Sequence, residues 1–299
     1  MAMDARIREL LKPEILNTVN GLELVARVVV EGFMSGANKS LAIGIGQEFS
    51  QYRNYEPGDD LRQLDWKMYA RSERYYIKQA EIETNITVKF MIDASHSMAY
   101  EEQHITKLQY ARLLTAALAH LARKQGDTIG LFGINNKHLT SLPPRFEQQQ
   151  YMRFLYDLVT INAESTWSKQ NLDNILDHHG KEVIIFMTDL YDDNSDILNF
   201  ISRLKTPRNE VILFHILGHH ETELDFGGSF TFRDLETNAI LKVDTNAQQK
   251  QYTARVKQWI AQCRATLLEK NITYNLVILN EAPEQVLRNF LKVRKTLAG

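Results

Sequence analysis

Three oxygen-bearing side chains stand at alternate positions where an apolar run ends: Asp93, Ser95 and Ser97 in VKFMIDASHSM, residues 88–98. A tight loop can aim a carboxylate and two hydroxyls at this spacing toward one point. Oxygen donors of this kind suit a hard divalent cation such as Mg²⁺, which takes about six oxygens in octahedral geometry and usually keeps waters among them. Mn²⁺ and Ca²⁺ accept the same ligands. The residues alone are a weak signal, because Asp and Ser also cap helices. A second acid adds weight. Asp189 ends another apolar run, VIIFMTD, residues 183–189. Asp93 and Asp189 can ligate directly or hold coordinated waters. A hydroxyl from a third loop would complete the set. Thr166 in NAESTWSKQ is the candidate, with Ser165 and Ser168 as rivals.

These groups meet only if the chain carries them to one place. From residue 86 the pattern alternates between short apolar runs and helical periodicity. ITVKFMID reads as a strand, and TKLQYARLLTAALAHLARKQGD as a helix. TIGLFGIN is a second strand, with KHLTSLPPR beside it as an edge. FEQQQYMRFLYDLVTI and LDNILDHH are helical. KEVIIFMTDL and EVILFHILG are near-continuous apolar strands, as expected where both sheet faces are covered. They flank the helix SDILNFISRLK. A hairpin, ELDFGGSFTFRDLETNAILKVD, and a long helix, AQQKQYTARVKQWIAQCRATLLEKN, interrupt the alternation. It resumes with ITYNLVILN and a final helix.

Such alternation predicts an α/β fold: an open, doubly wound, mostly parallel sheet. In the strand order 3-2-1-4-5-6, strands one and four are neighbours, and ligands bind beyond their C-terminal ends. Asp93 ends strand one and Asp189 ends strand four. The predicted organisation is an N-terminal helical and irregular unit over 1–85, the sheet domain over 86–222, an inserted hairpin and long helix over 223–270 packing with the N-terminal unit, and the last strand and helix over 271–299.

Bulk properties narrow the function. The formal net charge is −2, which disfavours nucleic acid as a partner. Cys263 is the single cysteine, so neither an internal disulfide nor a cysteine-based zinc site can form. The N-terminal residues are charged and lack a signal-peptide core, and LELVARVVVEGFM is too short to span a bilayer. The expectation is a cytoplasmic protein with no direct membrane insertion. No G-x-x-x-x-G-K-[ST] phosphate loop is present. The rival chemistry is metal-dependent phosphoester hydrolysis by Asp93, Asp189, Asp192 and Asp193. Against it, Ser95 stands where an Asp-nucleophile phosphatase places its second Asp. Asp192 and Asp193 also sit where they would cap the next helix.

DASHSM resembles the metal-ion-dependent adhesion site of von Willebrand factor A domains. A longer resemblance runs through EFSQYRNYEPGDDLRQLDWKMYARSERYYIKQAEIET, KLQYARLLTAALAHLA, LPPR, MTDLYDD, FRDLET and FLKVRK. Those stretches are similar to the bacterial family of domain of unknown function fifty-eight, von Willebrand A-like proteins associated with MoxR-type AAA+ ATPases. The resemblance implies a Rossmann-like von Willebrand A fold. It implies a metal set of Asp93, Ser95, Ser97, Thr166 and Asp189, binding Mg²⁺ (or Mn²⁺ or Ca²⁺) without catalysis. It further implies a hexameric MoxR-type ATPase as partner, with this chain as a chaperone-like adaptor toward a client protein.

Other features have structural readings. RNYEPGDDLRQLDWKMYAR (53–71) suggests either a docking surface through Arg53, Arg62, Trp66 and Arg71, or an internal network. In the network, which is favoured, Asp60 and Asp65 pair with arginines and Trp66 fills a core. The pairs His178-His179 and His219-His220 lack metal spacing and read as surface or loop residues. Cys263 reads as packing.

Overall fold

The computed structural model describes residues 11–35, 52–55, 66–78, 86–147, 149–168, 172, 181–192, 195–236 and 239–298. Asp59, Asp60, Arg62, Asp65, the helix expected at 172–179, both His178 and His179, and Asp193 fall outside them, apart from Leu172.

The elements run α1 (Pro13–Leu16), α2 (Val19–Ser35), β1 (Tyr52–Asn54), α3 (Trp66–Ser72), β2 (Tyr76–Lys78), β3 (Thr87–Asp93), β4 (Glu101–Glu102), β5 (Ile105–Thr106), α4 (Lys107–Lys124), β6 (Thr128–Ile134), β7 (Leu139–Arg145) and α5 (Gln150–Thr160). They continue with β8 (Glu182–Thr188), α6 (Asp196–Leu204), β9 (Asn209–Leu217), α7 (His219–Glu223), β10 (Ser229–Arg233), β11 (Ile240–Asp244), α8 (Thr245–Glu269), β12 (Thr273–Ile278) and α9 (Pro283–Ala298).

Six strands form the central sheet in the order β12-β9-β8-β3-β6-β7. Numbered along the chain, that is the predicted 3-2-1-4-5-6. All pairings are parallel except β6 with β7. β7 carries Pro143 and Pro144, which lack the N–H that a central strand must donate, so the edge is where it belongs.

The buried runs β3, β8 and β9 divide their side chains between two cores. One core holds Val88, Phe90 and Ile92 of β3 with residues of α2, α4, α5 and α9. The other holds Met91, Phe186 and Leu213 with α6 and the end of α8. Lys89, on the second face, is buried and ion-paired with Glu182 of the neighbouring strand at 3.0 Å. Burying an apolar side chain stabilises by roughly 1.5–3 kcal/mol. Leu22, Val25, Ala26, Val29 and Val30 of α2 are all fully or almost fully buried, so this N-terminal helix is part of the sheet domain's own core.

Two packing expectations are corrected. Among the described residues, α8 packs against α6, α7, β12 and the β10–β11 hairpin, whereas α2 packs against α1, α4, α5 and α9. The inserted helix therefore covers the face opposite the N-terminal helix, because Cys263 and Leu267 are its apolar contribution to the second core. Trp66 fills no core either. It is 60% exposed and meets Tyr69 edge-on at 6.2 Å. Cys263 is packing, as expected: it is buried, and burial pushes its thiol up to about 11. His219 and His220 lie in the short α7 and face Asp225.

Candidate metal centre

β3 and β8 are hydrogen-bonded neighbours, and their C-terminal ends bring Asp93 and Asp189 together, both with no solvent exposure. After β3 the chain turns through a 3-10 segment, His96–Ala99, which folds Ser95 and Ser97 back over the strand ends. Asp93 holds this turn: its Oδ1 accepts from the Ser95 N–H at 2.9 Å, and its Oδ2 from the Thr188 hydroxyl at 2.7 Å. A line of hydroxyls then crosses the site. Ser95 Oγ is 3.0 Å from Ser97 Oγ, and Ser97 donates to Asp189 Oδ1 at 3.1 Å. With the Ser97 proton pointing at Asp189, the Ser95 hydroxyl has two acceptors in reach, Ser97 Oγ and the Asp93 carboxylate.

The loop carrying Thr166 docks on this turn through the backbone. The His96 N–H donates to the Ser165 carbonyl at 2.7 Å, and the Glu164 N–H to the Ala94 carbonyl at 2.9 Å. Ser165 takes a left-handed conformation, φ 63°, at that junction. The Thr166 hydroxyl itself bonds to the Trp167 carbonyl, at 3.4 Å. The four residues Asp93, Ser95, Ser97 and Asp189 are thus linked to one another. Thr166 is brought beside them by its backbone but lies outside their hydrogen-bond network.

Three groups in this site were missed from the sequence. Lys107 opens α4 and is buried, with Nζ at 2.8 Å from Asp189 Oδ2 and 2.7 Å from Glu221 Oε1. Burial opposes its charge, yet the two carboxylates outweigh burial and hold the ammonium above its usual pKa range. His215 is fully buried on β9, and burial lowers it to about 4, so it is neutral. Its Nε2 faces the Asp189 carbonyl at 2.9 Å and its Nδ1 faces the Tyr274 hydroxyl at 2.6 Å. A carbonyl can only accept, so Nε2 carries the proton and Nδ1 accepts from Tyr274. Glu236, at the β10–β11 turn, reaches the same place. Burial, then the charges of Asp93 and Asp189, push its carboxyl up to about 7, while the Ser97 backbone N–H acts in the opposite direction as a hydrogen-bond donor.

Asp93 is likewise raised to about 7, by burial first and by Asp189 second. Burying carboxylates side by side is unfavourable unless positive charge offsets them. Lys107 supplies one such charge to Asp189, and nothing cationic bonds to Asp93 among the described residues. Among those residues no three His, Cys, Asp or Glu side chains group as a metal site on their own. A cation here would depend on the hydroxyls of Ser95 and Ser97 together with Asp189 Oδ1, which would exchange for it the contacts it accepts from Ser97 and from the Tyr191 N–H at 3.2 Å, with Asp93 acting through waters. The donor set is all oxygen and fits a hard divalent ion.

Asp192 is not available to a hydrolytic cluster. Its Oδ2 accepts from the Ile197 N–H at 2.7 Å and caps α6. No helix among the described residues is long and apolar enough to cross a membrane.

The sheet order, the antiparallel edge strand and the Asp-x-Ser-x-Ser turn over the switch point define a von Willebrand factor A-like α/β domain. The chain belongs to the family described as "Protein of unknown function DUF58", whose model matches residues 51–262. An uncharacterized protein of Mycobacterium tuberculosis is 24% identical over 276 residues, covering 86% of this chain and 84% of that protein. YeaD of Bacillus subtilis, also uncharacterized, is 28% identical over 113 residues, 38% of this chain and 26% of its own length. Among solved structures, the conserved hypothetical protein BatB from Bacteroides thetaiotaomicron matches with a TM-score of 0.44 at 12% identity, over 72% of this chain and all of that one. A von Willebrand factor type A protein from Catenulispora acidiphila matches at 0.39 and 11%, over 71% and 42%. The family's description names no reaction.

Proposed function

We propose that this chain is a non-catalytic, metal-dependent interaction module, acting as the adaptor of a MoxR-type AAA+ ATPase in chaperone-like remodelling of client proteins. The observation that carries the metal part is the line Ser95–Ser97–Asp189 laid across the ends of two adjacent strands. Hydroxyl ligands leave much of a cation's charge uncompensated, so a bound Mg²⁺ would attract a carboxylate from outside. Ser95, Ser97 and Asp189 would hold the ion, Asp93 would orient its waters, and Thr166 would contribute from its docked loop. The ATPase assignment rests on the family resemblance, and the absence of a phosphate loop leaves nucleotide hydrolysis to the partner.

The test is a pull-down of the hexameric ATPase with wild type and Asp93→Asn, each with Mg²⁺ or EDTA. Association is expected with wild type in Mg²⁺ and to fall at least tenfold on chelation or substitution. Association indifferent to both would remove the metal from docking. A second reading is favoured by Lys107, whose ammonium already neutralises Asp189. In that reading the site is a scaffold without a cation. Titration calorimetry with Mg²⁺ showing no heat of binding would establish it.

A further inference from the structure

The β10–β11 hairpin is a ribbon with little of its own core: Ile240 and Leu241 are 68% and 65% exposed. Its tip, however, is held at the strand-end site. The Tyr191 hydroxyl, two residues beyond Asp189, donates to Asp234 Oδ2. Asp234 Oδ1 in turn accepts from the Glu236 N–H at 2.9 Å, and the Asp234 N–H donates to the Ala239 carbonyl at 2.9 Å, closing the turn. This arrangement delivers Glu236 to the Asp93–Ser97–Asp189 cleft. Its Oε1 is buried there and has no hydrogen-bond partner among the described residues. A buried, unpartnered carboxylate oxygen beside two further carboxylates is a costly placement. A turn residue with solvent on its other side has every freedom to avoid it.

We propose that Glu236 is an intrachain ligand for the divalent cation held by Ser95, Ser97 and Asp189: the hairpin tip places the chain's own carboxylate on the position that faces outward. The inference rests on the divalent-cation reading above. A cation resolves both anomalies of the geometry. It gives the orphaned Oε1 a partner, and it offsets the third negative charge in the cleft. The consequence is regulatory. A partner's carboxylate reaches the ion only by displacing Glu236, whose hold on the cleft runs through the turn contacts of Tyr191 and Asp234. The acid that fills the open position in the resting state is therefore neither the ATPase's nor the client's.

The experiment uses the full chain with Mn²⁺ as probe, following affinity by calorimetry and the number of exchangeable waters on bound Mn²⁺ by water-proton relaxation. Glu236→Gln keeps the side-chain shape while removing the charge. It is expected to weaken Mn²⁺ by about tenfold or more, because affinity follows the number of charged oxygen ligands, and to add one exchangeable water. Glu236→Ala provides the same comparison should the glutamine retain a weak contact, and circular dichroism of both variants controls for folding. If wild type binds Mn²⁺ and Asp93→Asn weakens binding, but both Glu236 variants match wild type in affinity and hydration, the intrachain ligand is overturned while the metal reading stands. If wild type does not bind Mn²⁺, both are overturned.

Discussion

Lys107→Met is expected to destabilise the metal-free protein by about 3–5 kcal/mol, the usual cost of removing one partner from a buried ion pair. The ammonium is the hub of three elements: it opens α4, bonds Asp189 at the end of β8, and bonds Glu221 in α7. It also lies 5.1 Å from the centre of the Tyr100 ring. Methionine nearly preserves the volume, so the loss is electrostatic rather than steric. Asp189 is buried completely and would face low-dielectric surroundings without a counter-charge, whereas Glu221, raised by burial even with the lysine present, keeps 29% of its side chain in solvent and would be partly relieved by water. Urea denaturation at pH 7.5 measures the effect. The loss should shrink at pH 5, because protonation relieves carboxylates left unpaired. Saturating Mg²⁺ should restore part of the stability by binding at Asp189. A loss below about 1 kcal/mol at pH 7.5 would mean that water reaches the pair and that Lys107 is not a structural cation.

Lys107 also shows where sequence reading stops. The strands, their order and the meeting of Asp93 with Asp189 follow from apolar run lengths and from the rule that places ligands at a switch point. Lys107 lies fourteen residues beyond Asp93 and opens an amphipathic helix, where a lysine ordinarily reaches water. Only the three-dimensional return of α7 to the sheet end buries it. His215 had a faint signal: a lone imidazole inside VILFHIL, a run that must be covered on both faces, needs buried partners. Glu236 had none, because a turn glutamate is ordinarily solvated, and its reach depends on where the ribbon points. Trp66 failed for the opposite reason. Its helical spacing with Tyr69 marks a shared face, but not whether that face is covered. The two late-chain groups, like the side α8 packs on, depend on chain return across tens of residues.

Asp93→Asn is expected to stabilise the metal-free protein while weakening its response to divalent ions up to about a hundredfold. The fully buried carboxyl is held at about 7, against about 3.9 in an unfolded chain. A group raised in this way binds its proton more tightly when folded. Its contribution is full below the unfolded value and is lost progressively as pH rises to about 7. Asparagine cannot ionise and has no such loss. It can still accept from the Ser95 N–H through its carbonyl, and its amide can face the Thr188 hydroxyl. The variant's advantage should grow from pH 4 to pH 7 and then level, reaching on the order of 2 kcal/mol at pH 8 once imperfect replacement of the Thr188 contact is allowed for. Metal reverses the ranking. At a concentration one hundred times the wild-type dissociation constant, a cation that binds only the folded protein adds about 2.7 kcal/mol to wild type, whereas a variant weakened about a hundredfold by loss of the water-orienting carboxylate gains about 0.4 kcal/mol. Thermal melts at pH 5 and pH 8, each with EDTA and with Mg²⁺, read the four corners of this comparison. An apo variant less stable than wild type at pH 8 would show that Asp93 serves the fold through its hydrogen bonds. The expected crossing, with the variant ahead in EDTA and wild type ahead in Mg²⁺, would mark a residue kept for a cation at the expense of the empty fold.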